Sequence, residues 1–119
     1  MTKPTHNAQI YLKFLNLVTA IREIPTFPHL DSVEERLLNL FARTWETNQK
    51  ISVLEAMAIM PDISPTTAHR RLKTLRQKGL IALNGDEVDN RIKYVVPTDL
   101  TTQYFNQLGE YFQRAQTGS

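Results

Sequence analysis

No cysteine occurs in the 119 residues. That excludes a disulfide framework, a thiolate zinc site and a cysteine nucleophile, and it fits a reducing compartment. Glycine is scarce, at four residues, so there is no Gly-rich loop to cradle a phosphate. No apolar run approaches the roughly 20 residues that a membrane-spanning helix needs. The N-terminal stretch MTKPTHNAQIYLKF is broken by polar residues and Lys13, unlike a secretory leader. Internal repeats and low-complexity tracts are also missing. The expectation is a soluble, cytoplasmic protein with no membrane partner. Its length suits a single domain with a small core.

One further absence is local. Residues 64–81, SPTTAHRRLKTLRQKGLI, contain no Asp or Glu but five of the fourteen Lys and Arg. The whole chain is +2, so this stretch carries +5 and the remainder 9 − 12 = −3. Solvated helices commonly mix signs to gain i,i+4 pairing. A helix this one-sided points to an anionic partner more specifically than a high overall pI does.

The rest of the chain reads as mainly helical. Residues 7–24 form a first helix with two adjacent apolar stripes. Ile10, Phe14, Leu17 and Ile21 make one; Tyr11, Leu15 and Val18 make the other. One stripe suffices for a surface helix, so this one is either central to its own domain or shared with a second subunit. Residues 24–30, with Pro25 and Pro28, are a connector. Asp31 or Ser32 caps a second helix that ends near Asn48. Ile51 and Ser52 suit a short strand pairing, and Ser52 with Glu55 forms a capping box for a short helix over residues 53–60. After a tight connection at residues 61–63, Ser64 caps the basic helix, Pro65 takes its first position and Gly79 stands past its end. Residues 81–83 and 91–96 alternate like the strands of a hairpin joined by about seven residues, with Pro97 as its stop. Asp99 is expected to cap a last helix over residues 100–116. Its Tyr104, Phe105, Leu108, Tyr111, Phe112 and Ala115 share one face.

Two short helices followed by a β-hairpin is the plan of a winged helix-turn-helix. Ala68, Leu72 and Leu75 would face the core. Pro65, Thr66, His69, Arg70 and Lys73 would face out, with Arg71 and Arg76 on the flanks. With Ser64 and Thr67 at the helix start and Lys78 at its end they make a candidate nucleic-acid surface, Thr66, Thr67, His69, Arg70 and Lys73 for the major groove and Arg71, Arg76 and Lys78 for the backbone or minor groove. The major groove of duplex DNA accepts such a helix, and Arg70 is long and planar enough to hold guanine O6 and N7. Lys73 and Arg76 suit phosphates.

The run SPTTAHRRLKTLRQKGLIAL, followed by DNRIKYVVPT and a long helix, resembles the MarR-like winged helix-turn-helix regulators over residues 33–98. The resemblance implies transcription regulation by a homodimer on double-stranded DNA. It places Arg91 at the wing tip, reaching the minor groove and oriented by Asp89; Lys93 is also expected to meet the backbone or minor groove. It also implies a dimerisation region built from both chain ends, and allows a small-molecule effector. The expected architecture is a single domain over residues 1–119, with a winged core over residues 32–98 and flanking helices over 7–24 and 99–116.

Other readings of single residues are weaker. His69 has no second ligand at i+3 or i+4, and His6 and His29 are distant in sequence, so no metal is expected. Glu34-Glu35, Asp86 and Asp89 are explained by capping and a solvated loop, and no nucleophile accompanies them. Neither an enzyme nor a cofactor is expected. The aromatic face of the last helix suits packing, a dimer contact or a ligand pocket. A protein-interaction or replication-initiator module on the same fold is the alternative function, and the acids of the wing loop favour it.

Overall fold

The structure is a computed structural model that describes residues 5–22 and 27–117, so the predicted Glu23, Ile24 and Pro25 lie outside it. Five helices and one antiparallel hairpin follow in the order α1 (His6–Arg22), α2 (Ser32–Glu46), α3 (Val53–Ala58), α4 (Pro65–Gln77), β1 (Ile81–Gly85), β2 (Lys93–Pro97) and α5 (Asp99–Thr117). The described residues divide into two compact units. One draws on residues 5–22, 27–29 and 102–117, the other on residues 30–101.

In the first unit the two stripes of α1 have different fates. Ile21 is buried, and Ile10, Phe14 and Leu17 are partly covered. Tyr11 and Leu15 of the other stripe stay exposed, with Leu12 beside them. Phe14 meets Phe112 of α5 edge-on, with centroids 5.7 Å apart. Tyr104, Tyr111 and Ala115 of α5 are buried, and Tyr104 packs edge-to-face on Phe27 and on Phe105. The aromatic face of α5 is therefore used in packing.

The second unit is built on well-capped helices. Asp31 accepts the Glu34 N–H, and the Glu34 side chain accepts the Asp31 N–H, closing a capping box on α2. Ser52 and Glu55 do the same for α3, as the sequence predicts. At the end of α4, Gly79 takes φ +80, its N–H donates to the Arg76 carbonyl, and the Leu80 N–H donates to the Leu75 carbonyl. Those two bonds make a Schellman stop, and Leu75 and Leu80 are both fully buried beneath it. A Cβ at Gly79 has room but not the backbone conformation. Gly79→Ala is therefore expected to cost about 1 kcal/mol in urea unfolding, with the unfolding slope unchanged.

Two boundaries differ from the sequence reading. Thr98, not Asp99, caps α5: its hydroxyl oxygen accepts the Thr101 N–H at 3.2 Å, and Thr101 Oγ1 accepts the Thr98 N–H at 3.1 Å. The same two threonines donate to the Gly79 and Leu80 carbonyls, so the cap is also bonded to the turn that follows α4. The strands also slip along the hairpin, with Ile81 pairing with Pro97 and Gly85 with Lys93. Arg91 and Ile92 lie outside the strand: the Asp89 carboxylate accepts the Arg91 N–H and its carbonyl accepts the Ile92 N–H, while the Ile92 carbonyl still accepts the Asp86 N–H across the hairpin.

The core of this unit joins Leu37, Leu38 and Phe41 of α2 to Ala56 of α3, Ala68 and Leu75 of α4, and Val95 of β2. Ala68 is fully buried on the inward face of α4, and its small side chain permits a close approach of the helices packed there. The hairpin is pinned from two sides. Trp45 Nε1 donates to the Val95 carbonyl at 2.9 Å, and the Val95 N–H donates to the Ile51 carbonyl at 2.8 Å. The second contact lies beside an antiparallel bridge between Ser52 and Tyr94, the short strand pairing that the sequence suggested.

Candidate nucleic-acid interface

Helix α4 begins with a doubly used serine. Ser64 Oγ accepts the Thr67 N–H at 3.1 Å and donates to Thr67 Oγ1 at 3.0 Å. Thr67 is therefore half-buried and engaged in the cap, while Ser64, Pro65 and Thr66 are exposed. Burial of Ala68, Leu72 and Leu75 turns His69, Arg70, Lys73 and Arg76 toward solvent. Among the described residues, no ion pair engages Arg70, Lys73 or Arg76.

The other two cations of this stretch, Arg71 and the C-capping Lys78, point elsewhere. Arg71 Nε lies 3.0 Å from Asp31 Oδ2 without the alignment of a hydrogen bond, so their attraction is Coulombic. Lys78 Nζ donates to both oxygens of Glu34, at 2.7 and 2.8 Å. Glu34 is only 2% exposed and also accepts from Thr74 Oγ1 at 2.8 Å. Burial pushes its carboxyl up, but the hydrogen bonds from Lys78, the Asp31 N–H and Thr74 more than offset this and hold it below the usual range. Of the +5 on this stretch, two charges are matched by Asp31 and Glu34, leaving +3 on the outward face.

The wing is organised by its own acids. Asp86 Oδ2 accepts the N–H groups of Val88 and Asp89, and Oδ1 accepts the Tyr94 hydroxyl at 2.8 Å. These bonds, the Asp89 N–H foremost, lower the Asp86 carboxyl. Asp89 grips Arg91 through Nε and Nη2, both at 3.0 Å, and the arginine lowers its carboxyl in turn. Arg91 is 91% exposed despite that grip, and Lys93 is exposed at the start of β2. Two of the three wing acids are therefore bound inside the loop.

Between α4 and the hairpin lies a cleft of about 330 Å3. Val53, Leu72, Ile81, Leu83 and Val95 give it an apolar lining, and His69, Lys73 and Arg76 also line it. An apolar hollow with cations beside it suits an anion with a hydrophobic body.

Helical period in the sequence gives the outward face of α4 but not the ties of Arg71, Thr74 and Lys78 to Asp31 and Glu34. Asp31 and Glu34 were visible only as caps. Their second use spans 40 residues or more and leaves no local pattern.

No protein-family model and no curated protein matches the chain. Solved structures do. A MarR-like transcriptional regulator of Thermotoga maritima superposes with a TM-score of 0.65 at 16% identity, over 92% of this chain and 72% of that one. The heme sensor PefR of Streptococcus agalactiae, in complex with heme, gives 0.60 at 22% identity, over 99% and 79%. A mutant of MepR from S. aureus gives 0.61 at 14% identity, over 94% and 74%. The chain has the MarR-like winged-helix fold. Within that fold α3 and α4 are the helix-turn-helix, and β1 and β2 are the wing.

Proposed function

We propose that this MarR-like protein is a sequence-specific, duplex-DNA-binding transcriptional regulator that acts as a homodimer. The observation that carries the proposal is the outward face of α4. Arg70, Lys73 and Arg76 stand exposed there with no acidic partner among the described residues. Thr66, His69, Arg70 and Lys73 enter the major groove, and Ser64, Pro65 and Thr67 form the helix start that faces the backbone. Arg76, with Arg91 and Lys93 of the wing, meets phosphate or the minor groove.

The open stripe of α1 supports the dimer. Tyr11, Leu12 and Leu15, with Phe112 of α5, are large apolar side chains left at the surface of the first unit. A two-fold partner covers such a patch with its own copy. In this reading the winged core over residues 32–98 is the DNA-binding part, and the flanking helices make the dimer. Two recognition helices on half-sites one turn apart also give a larger recognised sequence than one helix can.

Regulation by a small molecule belongs to the proposal: PefR is a heme sensor, and the cleft beside α4 offers this chain its own space for an anionic effector. Bound there, a ligand occupies the side chains that meet DNA. No helix of the described residues is long and apolar enough to cross a membrane. The wing acids that favour the protein-interaction alternative are offset only at Asp89, by Arg91; Asp86 is held by neutral N–H and hydroxyl donors.

Single substitutions separate base reading from backbone contact. Arg70→Ala is expected to cost about 1–3 kcal/mol on a specific duplex and to relax one base position. Lys73→Ala is expected to weaken all duplexes alike and to flatten the salt slope by about one. Equal losses on specific and random DNA for both variants would contradict these assignments.

A further inference from the structure

Glu34 does more than a capping glutamate needs to do. Glu55 holds the same third position in its helix, serves only the cap and is exposed. Glu34 is buried, and its two oxygens take the Asp31 N–H, the Lys78 ammonium and the Thr74 hydroxyl. A buried ion pair of this kind adds little stability over well-packed apolar side chains of the same volume. What it adds is direction. Leu72 and Leu75 hold α4 by contacts that tolerate small rotations and slides, whereas charge-assisted hydrogen bonds have fixed geometry.

The polar stripe is placed to use that property. Arg71, Thr74 and Lys78 recur at steps of three and four residues, so they share one side of α4. That side meets the start of α2 through Asp31 and Glu34. Rotating a helix by about 10° shifts side-chain atoms ~6 Å from its axis by about 1 Å. A shift of that size is enough to misalign paired hydrogen bonds to a base edge while leaving looser phosphate attraction intact.

We propose that Glu34 is a positioning residue for sequence reading: through Lys78 and Thr74 it fixes the rotation of α4 against α2, and so sets which base edges the outward face can reach. Glu34 touches no DNA in this scheme. The inference rests on the reading of α4 as a groove-reading helix. It also gives Lys78 a different task from the backbone contact that the sequence suggested.

The test uses the full chain, the duplex recovered by repeated selection from a randomised pool, and a scrambled duplex of equal length. Glu34→Gln keeps the side-chain shape and removes the charge; Lys78→Met removes the other partner at a half-exposed position and leaves the buried Glu34 carboxylate with only Thr74 and the Asp31 N–H. Affinity is measured over a salt series, with urea unfolding alongside. Each variant is expected to lose about tenfold on the selected duplex and less than about twofold on the scrambled one, with an unchanged salt slope. The double variant is expected to lose no more than either single one, since both remove the same tie. Unchanged selectivity with a lower unfolding midpoint would show that the pair serves stability alone, and would overturn the proposal while leaving DNA binding in place. So would a Lys78→Met chain that binds both duplexes more weakly with a flatter slope, because Lys78 would then be a phosphate contact. A wild-type chain that binds neither duplex at low salt overturns the DNA-binding reading and this inference together.

Discussion

Replacing Arg70, Lys73 and Arg76 together with alanine is expected to lower affinity for the selected duplex by roughly a hundredfold to several thousandfold. One lost base contact contributes about 1–3 kcal/mol, and two lost phosphate contacts flatten the salt slope by about two. The fold is expected to survive, because all three side chains are exposed. Exposed substitutions away from caps and cores usually change stability by about 0.5 kcal/mol or less. The contrast with the inward cations is the informative part. Arg71 and Lys78 belong to the same stretch and carry the same charge, yet they are held by Asp31 and Glu34. If the triple variant bound DNA as the wild type does, the outward face of α4 would not be the interface. Electrophoretic mobility shifts across a salt series decide the matter.

Glu34→Ala is expected to destabilise the chain by about 2–3 kcal/mol at neutral pH. The change strands the Asp31 N–H and the Lys78 ammonium. Lys78 keeps 31% exposure, so water takes up part of the loss, and the figure falls below that for a fully buried pair. The effect has a pH signature. The Glu34 carboxyl titrates below the usual carboxylate range in the folded chain, so the charged form contributes stability above that range. That contribution is lost as pH falls through the folded value. The gap between wild type and variant is therefore expected to be widest at neutral pH and to narrow on acidification below about 4.5. Urea unfolding of both chains at neutral and acidic pH checks this. A gap that stayed constant with pH would show that charge on Glu34 is not what stabilises the contact.

The features legible in the sequence are the local ones. Ser52 with Glu55, Ser64 with Pro65, and Gly79 each announce a helix end through chemistry within a few residues, and each sits in the structure as read. The inward stripe of Ala68, Leu72 and Leu75 followed from helical period alone, and it fixed the outward face by exclusion. The cap of α5 was misplaced by one residue because Thr98 and Asp99 are both good caps. The choice between them depends on the Gly79 and Leu80 carbonyls, which only the tertiary fold brings there. The wing acids were read as solvated for a similar reason: their partners are loop N–H groups, the Tyr94 hydroxyl and the Arg91 guanidinium. Asp31 and Glu34 were hidden more deeply. Helix capping and a favourable first turn account for both residues at the level of sequence, so nothing there asks for a second partner.

The outward face of α4 and the open stripe of α1 converge on one claim, a dimer that reads a duplex sequence. The most direct measurement is selection of bound fragments from a randomised duplex pool by the full chain at physiological salt, followed by sequencing. The account predicts enrichment of an inverted repeat with half-sites about one helical turn apart. A pool with no enriched sequence, and binding that disappears as salt rises, would contradict it and leave only a nonspecific charge contact.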